Sequence, residues 1–155
     1  PVKMPDAIQT ARRTLRTIPT PGHSVTHTAL FDESDGVVFV GDLYISPGVT
    51  AVMRHENPFE NIASLRCVAD LEPDCLLNGH GLTLDKPARR LRQKADRVES
   101  AAQTVMELRG QGRSEATILA EIFEGNWRQD RTHAAMTFGE FCRRNFVRAV
   151  IRHAP

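Results

Sequence analysis

Three short stretches place imidazole or carboxylate groups beside glycine at the ends of apolar runs: TPGH (20–23), GD (41–42) and NGHG (78–81). His23, Asp42 and His80 are the residues whose chemistry needs explaining first. Neutral imidazole nitrogen and carboxylate oxygen are donors that zinc, iron and manganese accept. Glycine next to each donor lets an ion and a water approach the backbone closely. A carboxylate can also give one oxygen to each of two ions, so an aspartate between two histidine-bearing loops suits a bridging position. Each stretch alone reads more readily as an ordinary turn or surface loop. Their order and shared context point to chemistry.

The elements that must position these residues fall before residue 85. LRTIP (15–19) leads into the TPG turn, and HTALF (27–31) follows it. DESDG (32–36) separates HTALF from VVFV (37–40), five polar residues ending in glycine, which predicts a hairpin with Gly36 at positive φ. Asp42 then falls at the C-terminal end of the second strand. NPFENIASLRCVADLEP (57–73) spaces Ile62, Leu65, Val68, Ala69 and Leu71 as a helix, with Asn57-Pro58 as start and Pro73 as stop. DCLLNGHG (74–81) reads as a short buried strand entering a glycine-flanked loop, and strand–helix–strand in this order predicts an α/β unit.

From residue 86 the chain is helical. Leu91, Ala95, Val98, Ala101, Ala102, Val105 and Leu108 form one stripe ending at Gly110. Ser114 is placed to cap a second helix. A third amphipathic segment spans HAAMTFGEFCRRNFVRAVIRH (133–153), with Phe138, Phe141, Phe146, Val150 and Ile151 expected inside. Trp127, in the polar connector EGNWRQDRTH, is expected to anchor in the core.

Composition narrows the classes. The 155 residues are 41% apolar and 25% charged with net charge +1, which fits one globular domain, with or without a small helical appendage, and gives no general reason for nucleic-acid or anionic-membrane binding. The basic residues are mostly arginine, many after residue 85, and read first as a solvated helix surface. Cys67, Cys75 and Cys142 have no Cys-x-x-Cys spacing, so a reduced, cytoplasmic protein is expected. No apolar run reaches the ~18 residues a membrane span needs.

TPGHSVTH, a hairpin, GDLYI, a helix and LNGHG in that order resemble the second half of the metallo-β-lactamase superfamily, nearest its glyoxalase II-like hydrolases, over residues 13–81. The tail MTFGEFCRRNFVRAVI is similar to the C-terminal helices of some members. The resemblance implies an α/β fold: the second half of an αββα sandwich over residues 1–84, then a helical C-terminal extension over 85–155. It implies that His23 and His80 are metal ligands, that Asp42 bridges two divalent ions and orients the attacking water, and that His27 supports the site from behind. The ions would be zinc, with iron or manganese as alternatives. Tyr44, Arg54 and His55, in the stretch YISPGVTAVMRHENPF (44–59), become candidate contacts for a small-molecule substrate. The implied activity is hydrolysis of an ester, thioester, lactone or related bond by metal-activated water.

The family's His-x-His-x-Asp-His hallmark is missing. The six histidines are His23, His27, His55, His80, His133 and His153, and no two are spaced two apart. This chain offers each ion about two ligands, one of them shared, whereas a catalytic zinc takes about three plus water. The expectation is therefore a fragment, inactive alone, with a partner supplying the other ligands: an N-terminal half bearing the hallmark, or a second copy in a homo-oligomer. Two further classes compete: a non-catalytic half-fold that binds a partner chain, and a nucleic-acid-binding module built on the Arg-rich helices, which lacks an aromatic-interleaved basic patch. A last reading is a small α/β domain with incidental histidines.

Overall fold

The computed structural model describes residues 4–123, 132 and 134–154. Trp127 lies outside them. Six strands form one sheet: β1 (Ala7–Gln9), β2 (Thr14–Pro19), β3 (Thr28–Asp32), β4 (Val37–Phe39), β6 (Cys75–Leu77) and β7 (Thr83–Asp85), in the order β1-β2-β3-β4-β6-β7. A two-stranded ribbon pairs β5 (Val52–Met53) with β8 (Phe141–Cys142). The helices are α1 (Pro58–Ala69), α2 (Ala88–Gly110), α3 (Glu115–Phe123) and α4 (Arg143–His153).

Local chemistry explains the elements that matter for the site. The β3–β4 hairpin turns at Gly36, with φ +62°, where an added Cβ would lie 2.4 Å from Asp74 Oδ2. Asn57 caps α1: its Oδ1 accepts the N–H groups of Phe59 and Glu60, and Pro58 follows in the first turn. Ser114 Oγ likewise accepts Thr117 N–H at the start of α3. β4 and β6 are parallel neighbours joined through α1, as strand–helix–strand patterning predicts.

Strand direction gathers the loops. β2 and β3 are antiparallel, as are β3 and β4, and β4 and β6 are parallel. So β2, β4 and β6 all run the same way. The segments bearing His23, Asp42 and His80 follow these three strands and leave the sheet at one edge.

Register separates two faces, because successive side chains point to opposite sides. Phe31, Val38, Leu76 and Leu84 face each other across the sheet and are buried. They join Leu65 and Val68 of α1, Leu91, Ala95, Val98 and Val105 of α2, and Phe146 and Val150 of α4 in a single cluster. The opposite row, Thr17, Leu30, Phe39 and Leu77, is in register on the other face and partly open, with Phe39 39% exposed.

Two expectations need correction here. The helices after residue 85 are not an extension appended to half a fold, because the α2 stripe and α4 bury into the same core as the sheet. The third amphipathic segment is also not one helix. Phe138 takes φ +50° in the turn before β8 and is 91% exposed, Phe141 lies in β8, and Ile151 faces outward; only Phe146 and Val150 of the expected set are buried. All three cysteines are free thiols. Among the described residues no helix is long and apolar enough to cross a membrane.

The loop after Asp42 is held by α2. Lys94 Nζ donates to Gly48 O, and Arg97 Nη1 donates to Pro47 O at 3.2 Å. Lys94 is 6% exposed, and burial pushes its pKa down to about 8, opposed by the charge of Glu56 and reinforced by Arg97.

Two outcomes test this packing. Leu76→Ala, at a fully buried position, is expected to cost about 2–5 kcal/mol in denaturant unfolding, and Phe39→Ala on the open face much less; equal costs would contradict a one-faced core. Between about pH 8 and the ordinary lysine pKa, the folded chain loses the Lys94 proton before the unfolded chain does. Stability should therefore rise with pH across that window, and Lys94→Met should remove this component; parallel stability–pH curves for the two proteins would contradict it.

Candidate metal centre

Each site loop is fastened by contacts that its sequence dictates. Gly22 has φ +131°, and a Cβ there would lie 2.5 Å from Asn61 N, so only glycine lets the His23 turn press onto α1. Gly22 O accepts Asn57 N–H at 2.8 Å, and Pro21 O accepts the Ser64 hydroxyl at 2.7 Å. Gly79 N–H donates to Gly41 O at 3.0 Å, bringing the Asp42 and His80 loops together. A Cβ on Gly79 would stand 3.0 Å from Asp42 Oδ1. Asn78 Oδ1 accepts the N–H groups of His80 and Leu82, while its Nδ2 donates to Tyr44 O at 2.8 Å.

The result is a carboxylate between two imidazoles. Asp42 Oδ2 is 3.4 Å from His23 Nε2, and Asp42 Oδ1 is 3.1 Å from His80 Nε2. Two donors at ~2.0–2.2 Å from one ion, across a tetrahedral angle, are about 3.3–3.6 Å apart. Each histidine–aspartate pair therefore has the chemistry and nearly the spacing of two ligands to a shared ion. The set stops there: among the described residues, no group of three or more His, Cys, Asp or Glu could hold an ion. The expected pair of metals thus finds ligand pairs, and no complete cluster among the described residues.

His27 stands behind His23, with ring centroids 5.9 Å apart and edge-on. Its Nδ1 is 2.8 Å from Thr20 Oγ1. Burial first, then the neighbouring His23, lowers its pKa and favours the neutral ring. The candidate substrate contacts disperse. Tyr44 is 1% exposed and lies in the core, which corrects its expected role. Arg54 turns away to Phe138 O, Gly139 O and Glu140. His55 is exposed, its ring 6.3 Å from that of His23.

Glu56, next to His55, is the residue that sequence reading passed over. Its Oε1 accepts Met53 N–H at 2.8 Å and lies 3.3 Å from His23 Nδ1. Burial raises its pKa, while the Met53 N–H and His23 pull the other way. The only signal was a carboxylate one residue ahead of a capped helix start. A small cleft of about 40 Å³ opens beside Asp42, lined by Leu43, Ile45, Val49, Val52, Val98 and Phe146, with Glu56 and Lys94 among its polar groups.

Comparison with known proteins places this geometry in a family. The metallo-beta-lactamase superfamily profile matches residues 3–80. The Bacillus subtilis protein YobT is 33% identical over 97 residues, 55% of this chain and 42% of that protein. The atrochrysone carboxyl ACP thioesterase of Aspergillus fumigatus is 29% identical over 93 residues, 60% of this chain and 29% of that enzyme. The metallo-beta-lactamase family protein TTHA1429 from Thermus thermophilus shares the fold at TM-score 0.60 and 21% identity, over 99% of this chain and 46% of that one. The chain thus spans less than half the length of each of these relatives. The likeness nevertheless begins at residue 3 and, in structure, runs through the helices. This overturns the sequence reading that confined it to a C-terminal half of the fold. The chain belongs to the metallo-beta-lactamase superfamily.

Proposed function

We propose that the chain carries the His23–Asp42–His80 part of the metal centre of a hydrolase acting on an ester or thioester. The observation that carries this reading is the Asp42 carboxylate, with one oxygen toward each histidine. His23 and His80 would each hold a divalent cation, zinc in the first place and iron or manganese as alternatives, with Asp42 between them. Such a cation supplies Lewis-acid polarisation of the scissile carbonyl and a nucleophile at neutral pH.

The chain's own residues do the rest of the positioning. Asn78 and the glycine pair fix Asp42 against the His80 loop. His27, shifted toward its neutral form by burial, backs His23 without adding positive charge beside the cation. The apolar side chains lining the cleft beside Asp42 offer a surface to an acyl group. The likeness to an acyl-carrier thioesterase supports that substrate class.

The remaining ligands would come from a partner chain laid on the open row Thr17, Leu30, Phe39 and Leu77. A partly exposed row in register, apolar at Leu30, Phe39 and Leu77, is what a second β layer would cover. A non-catalytic, partner-binding role is the second reading, favoured by the lack of a third ligand among the described residues. The arginines speak against nucleic acid, because several are already engaged: Arg92 with Asp70 and Glu72, and Arg144 and Arg148 with Glu115.

Calorimetric titration with zinc and cobalt tests the reading. The native protein should bind metal, and Asp42→Ala should weaken it by about 100-fold or more while keeping the fold. Native mass spectrometry of the same sample should show metal in a complex with a second polypeptide. Metal-free monomer, or unchanged affinity in Asp42→Ala, would leave the non-catalytic reading.

A further inference from the structure

His23 is held between two carboxylates. Its Nε2 faces Asp42 Oδ2 at 3.4 Å, and its Nδ1 faces Glu56 Oε1 at 3.3 Å. A neutral imidazole has one N–H to give, so the two carboxylates compete for it. Their surroundings decide the contest. The Glu56 side chain is 12% exposed and that of Asp42 39%. Glu56 is also pre-placed by its own turn: its Oε1 accepts Met53 N–H at 2.8 Å, and its N–H donates to Met53 O at 3.2 Å. An oxygen already accepting one backbone N–H presents itself to His23 as an acceptor, and the interaction is stronger where water is excluded.

We propose that Glu56 is a positioning residue that holds His23 in the Nδ1–H tautomer, leaving the Nε2 lone pair free on the Asp42 side. That is the state a metal-ligating imidazole requires, and a carboxylate on the far nitrogen also raises the ligand's basicity. The inference rests on the metal-binding reading above and gives His23 its role within it. It also accounts for a largely covered carboxylate just ahead of α1, where the Asn57 cap does not need a second acid. Asp42 and Glu56 together surround His23 with negative charge, which favours a cation at Nε2.

The test reads the tautomer directly. Long-range ¹H–¹⁵N correlation spectra of the metal-free protein at pH 8 should show His23 protonated at Nδ1 and bare at Nε2. Glu56→Ala should move the proton to Nε2. Glu56→Gln, which keeps an acceptor for Met53 but loses the charge, should give a mixture and decides the matter if the alanine variant does not fold. Zinc affinity in Glu56→Gln should fall about 10–100-fold. A native His23 protonated at Nε2, a tautomer indifferent to both substitutions, or full zinc affinity in Glu56→Gln would each overturn the assignment. If the native protein takes up no zinc yet the tautomer shifts as stated, the metal reading falls while the Glu56–His23 coupling stands.

Discussion

The parallel pairing of β4 with β6 is the constraint on which the centre depends. Parallel neighbours must end on the same side, so the GD and NGHG segments emerge together, and the Gly79–Gly41 hydrogen bond closes the remaining distance. The connection between the two strands needs a crossover, and α1 provides it. Having crossed, α1 offers its capped N-terminal turn as the surface on which the His23 loop rests through Gly22 and Ser64. One topological choice thus positions Asp42, His80 and His23 at once. It also explains why glycine recurs there: backbones from separate strands approach more closely than a Cβ allows.

Much of this could be read from the sequence because it rests on local chemistry. The Asn57-Pro58 start, the Gly36 hairpin and the Leu91–Val105 stripe are statements about neighbouring residues, and the structure shows each. The order of the three donor motifs was equally visible. What stayed hidden depends on contacts distant in sequence. Glu56 matters because a turn thirty-odd residues earlier brings His23 against it. Lys94 looks like a polar position on the α2 stripe, yet it is buried because the loop after Asp42 folds over it. Tyr44 looks like an exposed aromatic in a loop, but the Asn78 side chain draws its backbone in and its ring joins the core. Phe138 failed in the opposite sense: a positive-φ turn carried an apolar residue outward where helical spacing expected it inside.

The extent of the fold was misjudged for a related reason. Motif matching ends where motifs end, at NGHG, whereas packing does not. Phe146 and Val150 share a cluster with Val38 and Leu76 although more than sixty residues separate them in the chain. The helices therefore shape the site as well as covering the sheet. Val98 and Phe146 line the cleft beside Asp42, and Lys94 and Arg97 hold its outer loop.

The central claim is that Asp42 is shared between two cation positions, one on the His23 side and one on the His80 side. An anomalous-difference map from crystals of the purified protein grown with zinc tests it most directly. Density is expected within bonding distance of Asp42 on the His23 Nε2 side and again on the His80 Nε2 side. Zinc bound elsewhere with the Asp42 carboxylate left unengaged, or no zinc at saturating concentration, would contradict it.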